Sequence, residues 1–566
     1  MKRQVYAIAL GVAAIGLTGC SKKLGQFRSD FFTTTPTPLE TVGEMVPGTV
    51  KGTIPAKFML KNAKVTATPV IGWTTSAATT AEAAGQPVVF QGQDVRANGQ
   101  VVDYSTGGAV AIPFSIPYMP EMAKSNLYLD FSVDQNGKIY TLPRVKVGEG
   151  VVATSTLASA KTVKPAVAKD NFQKVISEKY SADIHFLINQ ANIRANQTNK
   201  ADYIDLNKRL LEANAAPDQE IAGITINSYA SPEGTIEFNT QLAEKRETNT
   251  TKLVEGQLKK DRITEFGELT ASFTPEDWEG FEKLVEKSNI QDKDLILSVL
   301  RMYPDPVERE REIRNLSSVF NELADQILPQ LRYSRVMATI NTLGKSDQEL
   351  LNLFNTDPRK LTEDEMLYLA TLTDDNMKKM EVYNTAAELH AKDYRTYNNL
   401  GMTQFVAGDY EGALANFDYA HTLAPEAKEP EMNLALFSMI NGDYNKANER
   451  LGLAAGVPEA ADALGVYWLA QGDLQKALRS FGDIKTNNAA LAHILNKDYT
   501  GAREVIAGIK TPDATTYYLS AVLGARTDNQ SMVVNNLRQA VKLDKSLLTR
   551  ANNDLEFARY DLSSIY

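Results

Sequence analysis

The triplet Gly-Asp-Tyr stands at residues 408–410 and again at 442–444, 34 residues further on. A period of that length is one supersecondary unit, which cannot bury its own apolar face and must stack on a copy of itself. Around the first triplet, Tyr397, Leu400, Gly401, Ala413, Phe417, Ala420 and Pro425 run as aromatic, Leu-Gly, small, aromatic, small and proline. Small residues let two helices approach closely, and the proline stops the second of them. The spacing predicts paired helices stacked into a curved solenoid whose concave face holds peptide segments. Weaker copies follow at Gly472-Asp473, at Lys497-Asp498-Tyr499 and in the stretch 525–544, and a partial copy runs from Asn376 to Asp393. Residues 343–566 are assigned to this all-helical region.

The repeat resembles the tetratricopeptide family, which implies protein partners docked along the groove. At the other end, MKRQVYAIALGVAAIGLTGC opens with Lys2 and Arg3, continues with an apolar stretch from Val5 to Leu17 and closes on small residues. That is the layout of a secretory signal, and it falls short of the ~20 apolar residues that span a bilayer. Leu17-Thr18-Gly19-Cys20 resembles the lipobox of bacterial lipoproteins, which implies removal of residues 1–19 and fatty acylation of Cys20. Each buried methylene contributes ~0.8 kcal/mol, so several acyl chains anchor a protein durably. Cys20 is the only cysteine in 566 residues, so no internal disulfide is available and the folds depend on buried apolar surface.

Residues 20–40, polar and rich in Thr and Pro, read as a lipidated tether that would reach roughly 25 Å as a flexible coil. From 41 to 150 the pattern is strand. AKVTATPV and SNLYLDFSV carry β-formers, and Asn98-Gly99 and Asn136-Gly137 sit where two-residue hairpin turns are expected. An immunoglobulin-like β-sandwich is the expected architecture here, acting as a spacer. Residues 151–170 lack aromatic side chains and read as a linker.

From 171 to 342 the pattern becomes mixed: strands at 182–188, 221–230, 268–274 and 331–340, helices at 199–215 and after the Ser-Pro-Glu-Gly turn, and a helical insertion at about 275–330 in which Trp278, Phe281, Leu284 and Val285 follow helical spacing. Between the second strand and its helix lies S-Y-A-S-P-E-G, then N-T-Q-L-A-E-K-R, and much later R-Y-S-R-V opens the last strand. This region resembles the OmpA-like domain, an α+β module that binds peptidoglycan in Gram-negative envelopes. The resemblance implies that Arg246 and Asn239, on the helix, and the turn residues Ser231 and Glu233 hold a stem peptide of the wall. A guanidinium fork suits a carboxylate through two charge-assisted hydrogen bonds. The family places an aspartate where this chain has Ser231, so Glu233 would have to answer the peptide's ammonium, or the pocket prefers another group. Without any ligand, Ser231 would cap a helix with Pro232 at its first position, and Arg246 would pair with an acid at the surface.

The formal net charge of −10 argues against a nucleic-acid partner. The four histidines, His185, His390, His421 and His493, stand at no metal-ligand spacing, and no phosphate loop or nucleophile elbow is present. No catalysis, cofactor or metal is expected. The sequence points to a non-catalytic scaffold, lipid-anchored at the periplasmic face of the outer membrane, gripping peptidoglycan and docking envelope proteins. A subunit of a secretion or assembly complex with no wall contact is the alternative. A glycan-acting enzyme would need paired carboxylates in a cleft, which the sequence does not place.

Overall fold

Alternation sets the first part of the molecule: along Ser125–Gln135 every second side chain is buried, as a strand with one face on a core requires. The computed structural model describes residues 23–75, 77–290, 293–315 and 317–565; the expected signal segment and Cys20 lie outside them. Contacts divide the chain into two units, residues 1–169 with 373–566, and residues 170–372.

The first unit begins with β1 (Phe32–Thr35), β2 (Leu39–Glu40), β3 (Met45–Ile54), β4 (Ala63–Thr74), β5 (Thr80–Ala84), β6 (Val88–Gly92), β7 (Gln100–Val102), β8 (Gly108–Pro117), β9 (Ser125–Gln135), β10 (Lys138–Glu149) and β11 (Val151–Val152). A three-stranded sheet runs β1-β3-β8. A larger one runs β10-β9-β4-β6-β7 with β5 alongside β4, and β2 pairs with β11. Val50, Ile54 and Ile112 of the first sheet and Val65, Phe90, Leu129 and Phe131 of the second share one apolar core. Asn136 and Gly137, both at positive φ, make the two-residue turn between β9 and β10. Asn98-Gly99 does not make a hairpin, since β6 and β7 pair in parallel. There the Gln91 side chain, which accepts from Gly99 N and donates to the Val95 and Ala97 carbonyls, organises the loop.

The tether expected at 20–40 is structured from residue 23. Leu24, Phe27, Phe32 and Leu39 are buried in the same core, Phe27 stacks on Phe131 at 4.4 Å between ring centroids, and β1 pairs with β3. Burying apolar side chains at about 25 cal/mol per Å² outweighs the polar average of the stretch.

The second unit holds β12 (Val175–His185), α1 (Ala195–Thr198), α2 (Ala201–Ala215), β13 (Gln219–Tyr229), α3 (Ile236–Lys260), β14 (Glu268–Thr274), the insertion α4 (Trp278–Lys287), α5 (Lys293–Met302), α6 (Pro306–Asn315) and α7 (Ser317–Gln326), then β15 (Tyr333–Leu343), α8 (Asp347–Thr356) and α9 (Glu363–Thr371). Its sheet is ordered β12-β15-β13-β14, with β13 parallel to β14 and the other pairs antiparallel. Tyr203, Leu206 and Leu210 of α2 and Val254 and Leu258 of α3 cover one face of it. The insertion has its own core around Phe281, Val285, Ile296 and Leu323. β12 starts seven residues before the expected 182, because its first half is exposed on both faces and so carries no apolar alternation. The helices α8 and α9 belong to this unit, whose boundary lies after residue 372 rather than at the expected 342.

The first unit resumes with α10 (Asn376–Leu389), α11 (Tyr394–Ala407), α12 (Tyr410–Leu423), α13 (Lys428–Ile440), α14 (Tyr444–Leu453), α15 (Ala460–Gln471), α16 (Leu474–Phe481), α17 (Asn487–Leu495), α18 (Tyr499–Ala507), α19 (Ala514–Arg526), α20 (Gln530–Leu543) and α21 (Ser546–Asn553). These are tetratricopeptide-like helical pairs. Gly408, Gly442 and Gly472 end first helices at positive φ, which glycine adopts without strain. Asp409, Asp443 and Asp473 then cap the second helices by accepting from main-chain N–H groups. A methyl group on Gly401 or Gly465 would sit 2.8 or 2.3 Å from the ring of Phe417 or Phe481, so the close helix contact explains the small residue.

Candidate functional site

The turn after β13 is where the sequence places a ligand site. Thr235, not Ser231, caps α3, its hydroxyl accepting from Phe238 N. Ser231 is buried and its hydroxyl donates to Glu233 Oε1 at 2.6 Å. Glu233 in turn receives two bonds from Arg332, Nε to Oε1 at 2.9 Å and Nη2 to Oε2 at 3.0 Å. Both side chains of this pair are mostly buried, at 11% and 15% exposure. From the insertion, Arg314 donates to the Glu233 carbonyl. Asn239 Nδ2 donates to the Gly234 carbonyl and to Glu276 Oε1.

Arg246 is fully buried. Its Nε donates to the Gln190 carbonyl at 3.0 Å, Nη1 to the Tyr229 carbonyl at 2.8 Å and Nη2 to the Leu187 carbonyl at 3.3 Å. The guanidinium lies 5.0 Å from the centre of the Phe186 ring. Burial, with the nearby Arg332 adding repulsion, pulls its pKa down to about 10, while Glu233 opposes the shift. The expected open guanidinium is therefore a closed one, and the surface ion pair is equally absent. The loop that follows β12 points its carbonyls inward, and buried carbonyls need donors. An arginine on α3 supplies three of them at once, two to this loop and one to Tyr229 at the end of β13. Asn249 does the same for Ala191 O at 2.9 Å. Ser231, Glu233, Asn239 and Arg246 do lie around one turn, but each is already bonded within the fold. Arg332, which answers Glu233, opens the Arg-Tyr-Ser-Arg-Val stretch, so a signal for it was present in that motif.

A second site lies where the sequence predicts only a linker. The supposed linker 151–170 pairs through β11 with β2 and then runs along the repeat helices with Val163, Ala166 and Ala168 buried. Asparagines bind its main chain. Asn399 accepts from Ala168 N at 2.8 Å and donates to Ala168 O at 2.9 Å. Asn433 accepts from Ala166 N at 2.6 Å and donates to Ala166 O at 3.0 Å. Asn488 accepts from Ser159 N at 3.0 Å and donates to Ser159 O at 3.1 Å. Asn398 adds a bond to Ala166 O and another to Asn399 Oδ1, and receives one from Asn433. Each amide thus satisfies both polar groups of one residue.

These asparagines occupy one structural position. Asn399, Asn433 and Asn488 each lie five residues before the carbonyl, of Gln404, Ser438 or His493, that accepts from the capping aspartate's N–H. In α15 the same position holds Ala463, five residues before Trp468. The sequence signal was Asn399 and Asn433, one repeat period apart. Upstream, Arg550 donates to Ala153 O and Thr156 Oγ1, and Thr154 donates to Glu556.

The histidines stand apart. His185 lies 3.1 Å from Lys200 Nζ, with burial and then that ammonium holding its pKa down, whereas His493 bonds Asp498 at 2.7 Å. Among the described residues no three His, Cys, Asp or Glu side chains are grouped to hold a metal, and no helix is long and apolar enough to cross a membrane.

No family model matches the chain, and no curated protein matches it. Solved structures similar to it include a tetratricopeptide repeat protein from Parabacteroides merdae, at 15% identity over 36% of this chain and 88% of that one, with a TM-score of 0.29. PilF of Pseudomonas aeruginosa is similar at 14% identity over 34% of this chain and 99% of that one, TM-score 0.28. YrrB, described as a tetratricopeptide repeat protein with an unusual peptide-binding site, is similar at 18% identity over 31% of this chain and 98% of that one, TM-score 0.22.

Proposed function

We propose that this chain is a non-catalytic scaffold of the bacterial cell envelope that docks a protein partner on its helical repeats. The asparagine ladder carries this reading: it is a surface built to hold extended main chain, with both hydrogen-bonding groups of a residue met by one side chain. Acyl chains on Cys20 would hold the protein at the outer membrane, on its periplasmic face, with the β-rich region as an immunoglobulin-like spacer. Replacing Cys20 by serine should abolish metabolic labelling with palmitate and move the protein out of the membrane fraction; retention of both would overturn the anchor.

Between the two envelope roles, the closed turn favours an assembly or secretion subunit over a wall anchor. Arg246 is committed to three carbonyls and Glu233 to Arg332, so a stem peptide would have to break buried bonds before gaining any. The wall-binding reading keeps one support: the alternating strands and helices of residues 175–343 follow the order expected from the OmpA-like resemblance. Sedimentation of the chain from residue 20 onward with purified peptidoglycan separates the two. The subunit reading predicts no co-sedimentation. Co-sedimentation that is lost in Arg246→Ala, with the rest of the fold intact, would reinstate the wall.

A further inference from the structure

We propose that the segment 159–168, a short turn at Ala160–Thr162 followed by extended chain, is an exchangeable resident of the groove, and that the partner enters as a peptide, extended across Asn399 and Asn433, which takes its place on these and on Asn488. This inference rests on the docking function proposed above and names the kind of partner it accepts.

The recognition is written in main-chain atoms. Asn399, Asn433 and Asn488 each grip the N–H and C=O of one residue, and any extended peptide offers the same pair. Ala166 and Ala168 are two residues apart, so they face the same side of an extended chain. Both are buried to within 2%, which leaves room for a methyl group and little more. The partner is thus a strand with alanine, serine or glycine at alternate positions and an N–H at each of them. Proline at either position would remove a donor that the ladder needs.

The resident is weakly anchored by its side chains. It buries Ala160, Val163, Pro165, Ala166 and Ala168, all of them small or medium-sized, and leaves Lys161, Lys164 and Lys169 exposed. The helices beneath it bury Leu, Phe, Met and Tyr side chains against one another. Residues 153–169 belong to no sheet. Release of this strand exposes far less apolar surface than unfolding of the solenoid, so it belongs among the local openings that lie below global unfolding. Attachment at both ends gives the resident an effective concentration on the order of millimolar. A weak or ill-matched peptide is therefore excluded, and only a strand held by further contacts displaces it.

Hydrogen exchange on the mature chain tests this directly. The amides of Ala166 and Ala168 should exchange at least tenfold faster than the buried amide of Leu436 in α13. Equal protection would mean that the strand leaves only when the solenoid unfolds, and would overturn the proposal. A second test uses Ala166→Pro, which weakens the resident and leaves the groove untouched. A labelled peptide of residues 159–169 should bind this variant at least tenfold tighter than the parent chain, and the same peptide with leucine at both alanine positions should not bind. Failure of the first peptide on a folded variant would overturn exchange; if the variant does not fold, the exchange rates decide. A protein partner still captured despite equal protection would refute the exchange alone and leave docking on another surface.

Discussion

Asn433→Ala is the sharpest perturbation of the groove. It removes the acceptor of Ala166 N and two donated bonds, to Ala166 O and Asn398 Oδ1. The Ala166 carbonyl keeps Asn398 as a donor at 3.0 Å, but its N–H, on a residue with no exposed surface, keeps nothing. An orphaned buried donor costs about 1–3 kcal/mol, and each lost bond contributes about 0.5–1.5 kcal/mol net. The total is roughly 2–4 kcal/mol, allowing for overlap among these contributions, against typical domain stabilities of about 5–15 kcal/mol. The strand should open while the helices remain folded. Converted at about 1.4 kcal/mol per tenfold, the open population rises roughly 30-fold to 1,000-fold. Limited trypsin digestion reads that population when reclosing is fast. Lys161 and Lys169 are exposed sites flanking the grip, and Lys164 is shielded from cleavage by Pro165. The variant should be cut at 161 and 169 at a rate increased by that factor, with unchanged helical circular dichroism. A change below threefold would refute the ladder as the strand's principal hold.

Removing Arg246 as Arg246→Met should lower the stability of the second unit by roughly 2–4 kcal/mol, because three inward carbonyls lose their donor; thermal unfolding checks this, and an unchanged midpoint would return the arginine to the list of ligand groups. Glu233→Ala strands Arg332 as a buried unpaired cation, expected to cost about 3–5 kcal/mol; denaturant titration measures it, and Glu233→Ala combined with Arg332→Met should recover most of the loss. Asp462 is buried with Thr486 as a hydrogen-bond donor, and desolvation raises its pKa to about 6. Its native state therefore holds a proton that the unfolded state has released between about pH 4 and pH 6, and stability falls as pH rises through that window. Asp462→Asn should remove this slope and stabilise the chain at pH 7 by up to about 3 kcal/mol; parallel unfolding curves across pH would show otherwise.

Periodic features were legible in the sequence. The 34-residue recurrence located the helix pairs, Asn136-Gly137 located a hairpin, and the alternation around Ile224 and Ile226 located β13. What escaped was set by partners distant in sequence. The Thr and Pro content of residues 20–40 conceals a packed segment, because Phe27 and Phe32 meet Phe131 about a hundred residues away. The linker lacked aromatic residues and alternation because its hydrogen bonds run to side-chain amides on α11, α13 and α17, across more than two hundred residues. Arg246 was located correctly on its helix. Its orientation was not legible, because nothing local in the sequence announces that the loop after β12 turns two carbonyls toward it and the end of β13 a third.

Cross-linking in intact cells, followed by mass spectrometry of the products, tests the central claim of a protein-docking scaffold most directly. The chain should be recovered in a discrete complex of fixed stoichiometry with another protein, free of muropeptide adducts and diminished by substitution of the groove asparagines. Recovery of muropeptide adducts that depend on Arg246, with no protein partner, would contradict it.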